Sequence, residues 1–132
     1  MQKIATFLMF EGQAEEAMSF YLSLFPDSKL ESIARYGEGE TGRAGSVQHA
    51  TFSLNDQLFM CIDSPVKHQF TFTPSMSLHV TCSTEQEINQ LFASLSVGGQ
   101  ILMPLDSYPF ARKYTWLNDR FGVSWQLALT EA

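Results

Sequence analysis

Basic residues are scarce in this sequence: 8 Lys and Arg stand against 14 Asp and Glu, for a formal charge of −6. A phosphate backbone and an anionic bilayer surface both repel such a chain at long range. Nucleic acid and membranes are therefore not expected as partners. Long apolar runs are also missing. The stretch IATFLMF (4–10) meets Glu11 before it reaches the length of a signal-peptide core, and nowhere do about 18 apolar residues follow one another. The expectation is a soluble, cytoplasmic protein. Cysteine occurs only twice, as Cys61 and Cys82, each inside an apolar strand-like run with no flanking His, Lys or Arg. That setting fits buried, reduced thiols and not activated nucleophiles. A glycine fingerprint for a nucleotide or a methyl donor is absent as well, since no amphipathic helix follows GEGETG (37–42).

What is present suffices for one compact domain over residues 1–132, because 45% of them are hydrophobic and 13% aromatic. The same order of elements occurs twice. The first pass opens with a strand over 4–10. A helix follows from Ala14 to Phe25, with Ala14, Ala17, Met18, Tyr21, Leu24 and Phe25 on one face and Pro26 as its stop. Strands are predicted over 29–36, 46–54 and 57–63, the last two joined by a turn at Asn55-Asp56. The second pass has a strand over 76–82 and a helix that opens on the capping box Thr84 and Glu87. Ile88, Leu91, Phe92 and Leu95 form its apolar face, and Gly98-Gly99 ends it. Strands follow over 100–105, 112–117 and 123–129. Two βαβββ modules, about 1–64 and 75–130, are thus joined by a linker over 65–74.

One helix covers only one face of a four-stranded sheet. The economical arrangement is an α+β fold in which the two modules form a cupped mixed sheet, helices outside, with room inside for a small molecule.

Several strings resemble one family: FYLSLFPDS (20–28), GSVQHATFSLNDQLFMCIDS (45–64), HQFTFTPSMSL (68–78), GGQILMPLDSYPF (98–110) and TWLNDRFGVSWQL (115–127). They are similar to the PhnB-like branch of the vicinal oxygen chelate superfamily, related to glyoxalases and bleomycin-resistance proteins and also labelled demethylubiquinone methyltransferase-like. The resemblance implies the cup, a small-molecule ligand and a homodimer. In metal-dependent members, four strands each bring one ligand into the cup. Fitted to that pattern, the ligand positions fall on Thr6, Met60, Ser77 and Gln126. None of the four is His, Asp or Glu, so the resemblance implies no cofactor here and leaves a divalent metal without its usual donors.

Strand alternation then indicates which side chains share a face. With Thr6 inward, Ile4 and Leu8 follow it. Ser77 inward brings His79 and Thr81, and Gln126 inward brings Ser124 and Ala128, leaving Trp125, Leu127 and Leu129 for the helix side. His79 is the best candidate for chemistry, as an imidazole two residues from an expected ligand position. The competing explanation is a strand histidine that a neighbour satisfies. His49 shares a face with Val47, Thr51 and Ser53. Its convergence with His79 and Gln126 would be the only support for a glyoxalase-type metal lyase, isomerase or dioxygenase. Trp116 lies on one face with Tyr114 and can clamp a planar ligand or simply pack. His68 is expected to be solvated, and Asp119 and Arg120 are expected to brace a turn. The functional expectation is a small-molecule-binding protein, either a metal-independent enzyme or a ligand-sequestering protein of the resistance type.

Overall fold

The computed structural model describes residues 3–130. It divides into two compact units between Gln69 and Phe70, a division that falls inside residues 65–74.

The N-terminal unit runs β1 (Thr6–Phe10), α1 (Ala14–Leu24), β2 (Lys29–Arg35), β3 (Val47–Leu54) and β4 (Gln57–Asp63). Its sheet has the order β1-β4-β3-β2, with β1 parallel to β4 and the other pairs antiparallel. One face is buried under α1, whose Ala14, Ala17, Met18 and Tyr21 pack on that sheet's Ala50, Phe52, Phe59 and Cys61 side. Phe52 and Phe59 stack there with ring centroids 5.4 Å apart. Gln13 offers α1 no side-chain cap. Asp63, at the end of β4, does so from a distance: its Oδ1 accepts the N–H groups of Gly12 and Ala14 at 2.8 and 2.9 Å. Its Oδ2 accepts that of Val47 at 3.0 Å. One carboxylate thus ties the helix start to the start of β3.

The C-terminal unit repeats the order with β5 (Leu78–Thr81), α2 (Glu85–Leu95), β6 (Gln100–Tyr108), β7 (Ala111–Asn118) and β8 (Ser124–Leu129), arranged β5-β8-β7-β6. The Thr84 half of the capping box forms as expected, with Glu87 N–H donating to Thr84 Oγ1 at 3.1 Å, while the Glu87 carboxylate reaches one residue further and accepts from Ser83 N–H at 2.7 Å. Gly98 then takes a φ of 73°, the left-handed conformation that ends the helix region. Ile88, Leu91 and Leu95 of α2 are buried with Leu117, Trp125, Leu127 and Leu129.

Three strands depart from the sequence reading by two residues or more at one end, and β5 spans only Leu78–Thr81 where 76–82 is expected. β1 begins at Thr6, and Ile4 is exposed. β6 continues to Tyr108 through Pro104, three residues beyond the expected end at 105. Proline is tolerated there because β6 is an edge strand, and its ladder with β7 carries several register irregularities.

Candidate functional site

Each sheet has a second face that its helix does not cover. In the C-terminal unit the ladder places the side chains of that face in rows. His79 lies opposite Gln126, Gln126 opposite Trp116, and Trp116 opposite Met103. The next row is Thr81, Ala128, Tyr114 and Asp106. Ser77, Ser124 and Asn118 occupy the other side of the His79 row. Alternation in β5 and β8 therefore ran as the sequence reading had it, with Trp125, Leu127 and Leu129 on the helix side.

Hydrogen bonds organise this face. Tyr114 Oη donates to Gln126 Oε1 at 2.7 Å. Ser124 Oγ accepts the indole N–H of Trp116 at 2.9 Å and lies 3.0 Å from Ser77 Oγ. Ser124 faces the same way as Gln126, as strand alternation indicates, while its role as acceptor for Trp116 comes from the pairing of β7 with β8. Tyr114, Ala111 and Ala128 form a small buried cluster with Met103, Tyr108 and Trp116 against it. Phe110 and Tyr108 meet the Tyr114 ring edge-on, with centroids 4.9 and 5.7 Å away. Burial, and next the neighbouring Tyr108, push the Tyr114 phenol above its ordinary pKa, so it stays a proton donor. His79 is exposed on β5.

In the N-terminal unit the corresponding face carries Phe7, Met60 and Thr51 in one row, with Ile62 and His49 beside them. Phe7 is 53% exposed, and its ring lies 6.5 Å from that of His49. Thr6 is not on this face. It pairs with buried Phe59 and has the parity of Leu8 and Phe10, which are buried on the helix side. The expectation of an inward Thr6 with Ile4 and Leu8 is thereby corrected. The cause is that IATFLMF is apolar at both parities, so its alternation does not mark a side. Val47 is corrected as well: an extra residue at Gln48 in the β2–β3 ladder breaks the alternation, and Val47 is fully buried. His68 is half-buried and not simply solvated, with Nε2 2.8 Å from Ser64 Oγ and its backbone N–H on Glu11 Oε2 at 3.2 Å.

A separate open groove of about 740 Å³ lies in the N-terminal unit, lined by Lys29, Glu31, Ser53, Asp56 and Leu58 among others. It includes none of the candidate residues.

The donor chemistry does not suit a divalent metal. Among the described residues no group of three or more His, Cys, Asp and Glu could hold one. In the C-terminal unit, His79 has beside it an amide whose oxygen already accepts from Tyr114. Both cysteine thiols are protonated. Burial, and next the Asp63 carboxylate, push Cys61 up to about 12, and burial with Glu87 pushes Cys82 up to about 11.

Two mixed four-stranded sheets, each with one helix in a repeated βαβββ order, define the vicinal oxygen chelate fold. The glyoxylase/bleomycin resistance protein/dioxygenase domain from Frankia sp. EAN1pec shares it, with a TM-score of 0.66 at 12% identity over 99% of both chains. The chain belongs to the family described as 3-demethylubiquinone-9 3-methyltransferase, whose model matches residues 2–128, and to the PhnB-like branch of that superfamily. It is 65% identical to the PhnB protein from Bacillus cereus over 97% of this chain and 99% of that one, with a TM-score of 0.95. Protein PA1353 from Pseudomonas aeruginosa matches at 25% identity, with a TM-score of 0.86 and full coverage of both chains. No protein of curated function matches the chain.

The family description implies S-adenosylmethionine as methyl donor, and the strand-to-helix connections do not fit a glycine-loop cradle for it. At α1 the N–H groups of Gly12 and Ala14 are taken by Asp63, and at α2 those of Ser83 and Glu87 are taken by the capping box. Among the described residues no helix is long and apolar enough to cross a membrane.

Proposed function

We propose that the chain binds a small molecule, without a catalytic metal, on the open face of its C-terminal sheet. The observation that carries this reading is the row of His79, Gln126, Trp116 and Met103. It is a strip without Lys, Arg, Asp or Glu in which an indole and a thioether lie beside an amide and an imidazole. Ligand sites commonly combine an apolar surface with a few fixed polar groups in this way. In this reading Ser77 supports Ser124, Trp116 is the apolar platform, and His79 is the group available for proton transfer. Met60 and His49, on the open face of the N-terminal sheet, are further candidate contacts. A homodimer located in the cytoplasm completes the proposal.

Nitrogen-15 NMR of the full chain, titrated with a metabolite library, tests the reading. Ligands are expected to shift the Trp116 indole and Gln126 side-chain signals. Ligands that shift only signals of the groove at Lys29 and Asp56 would overturn it. A hit that is also turned over, with loss of turnover in His79→Gln, marks an enzyme. Binding without turnover marks a sequestering protein. Sedimentation at twice the chain mass is expected for the dimer.

A further inference from the structure

Gln126 carries both an acceptor and a donor, and the side chains around it decide which one a ligand meets. The Tyr114 ring is only 7% exposed, with Phe110 and Tyr108 set edge-on against it. Its hydroxyl donates to Gln126 Oε1 at 2.7 Å. Turning the amide over would set Nε2–H against the Tyr114 oxygen and leave the part-buried Tyr114 O–H without the acceptor it has now. The amide oxygen is therefore spent inside the protein, and the N–H₂ end is the part left for a ligand. Trp116 has likewise committed its N–H, to Ser124 Oγ, so its contribution to a ligand is the apolar ring. The row itself holds no Lys, Arg, Asp or Glu, and Asp106 in the neighbouring row of the same face would repel an anion.

We propose that Tyr114 is a positioning residue that fixes the Gln126 amide with its N–H₂ outward, so that this face selects planar molecules bearing a carbonyl oxygen. The inference rests on the binding reading above and adds the ligand class to it. The carbonyl oxygen accepts from Gln126 Nε2 while the conjugated plane lies against Trp116. A merely structural Tyr114–Gln126 bond would hold the two strands equally well but would give no preference between ligands of one shape.

Acetophenone and α-methylstyrene are suitable probes, since they differ in having a carbonyl oxygen or a methylene on the same planar skeleton. With the intact chain, followed by nitrogen-15 NMR, acetophenone is expected to bind about ten-fold more tightly and to shift the Gln126 side-chain N–H₂ signals. Gln126→Glu keeps an acceptor for Tyr114 and the same shape but removes the donors. It should lower acetophenone affinity to that of α-methylstyrene or below while leaving α-methylstyrene unchanged. Tyr114→Phe frees the amide to rotate and should erase most of the preference, with a folded spectrum retained. Equal binding of the two probes to the wild-type chain would overturn the ligand class and leave the binding reading standing. An undiminished preference in Tyr114→Phe would overturn the positioning role. If neither probe shifts Trp116 or Gln126, the binding reading fails and this inference fails with it.

Discussion

The carboxylate of Asp63 and the backbone N–H of Ala14 meet at 2.9 Å across 49 positions of sequence. The same side chain accepts from Gly12 and Val47 and is almost fully buried. Asp63→Ala would leave three N–H groups without an acceptor in the interior. The expected loss is about 3–5 kcal/mol, read as a fall in the urea midpoint. Asp63→Asn keeps one oxygen but sets an N–H₂ against an N–H, and should fall between the two. An alanine variant within about 0.5 kcal/mol of wild type would contradict this account.

Asp119 plays a comparable part in the C-terminal unit. Its Oδ1 accepts from the N–H groups of Phe121 and Val123 at 2.9 and 3.1 Å, and its Oδ2 accepts the Trp125 indole N–H at 2.9 Å. Gly122, at a φ of 91°, lets the chain turn around that carboxylate. Trp125→Phe and Asp119→Ala should each destabilise by about 2 kcal/mol or more. Because they share one hydrogen bond, the double variant should lose less than the sum, by about 1 kcal/mol. Strict additivity in a denaturation cycle would show that the bond has no such coupling.

The hairpin residues Asn55 and Asp56 both have positive φ, 48° and 69°. The pair matches the two left-handed positions of a tight hairpin turn. Asn55 also accepts the Asp27 N–H through Oδ1 at 3.3 Å. Asp56→Gly relieves the backbone without removing a known contact and should raise stability by about 0.5 kcal/mol. Asn55→Ala should lower it by about 1 kcal/mol. Thermal unfolding of the two variants should therefore move in opposite directions.

The repeated βαβββ order, the α2 capping box and the Asn55-Asp56 turn were legible in the sequence because each depends on local spacing. The facing of His79 and Gln126 was legible for the same reason: polar and apolar residues alternate in β5 and β8. Thr6 was not, since β1 is apolar at both parities and only its pairing with Phe59 assigns its side. Asp63 was not legible, and Ser124 was legible in its facing but not in its bond to Trp116, because what matters about each is a partner distant in sequence or on a neighbouring strand. An Asp closing QLFMCID at the parity of Phe59 and Cys61 was the available signal for the first of these.

Cys61 and Cys82 give the chain a measurable alkaline weakness. Their thiols are held up to about 12 and about 11 in the folded chain, whereas an unfolded thiol titrates near about 8.5–9. The folded state therefore binds more protons than the unfolded one between these values. The stabilisation is fully present below about pH 8.5 and is lost progressively as pH rises through the folded values. Urea midpoints should be flat up to that point and then decline, and the decline should be shallower in Cys61→Ala with Cys82→Ala. Iodoacetamide at about pH 8 should label either cysteine in the native chain far more slowly than in guanidinium chloride, because the thiolate is scarce and buried. Rapid native labelling of Cys61 by mass spectrometry would mean that its thiol is neither protonated nor enclosed as the structure has it.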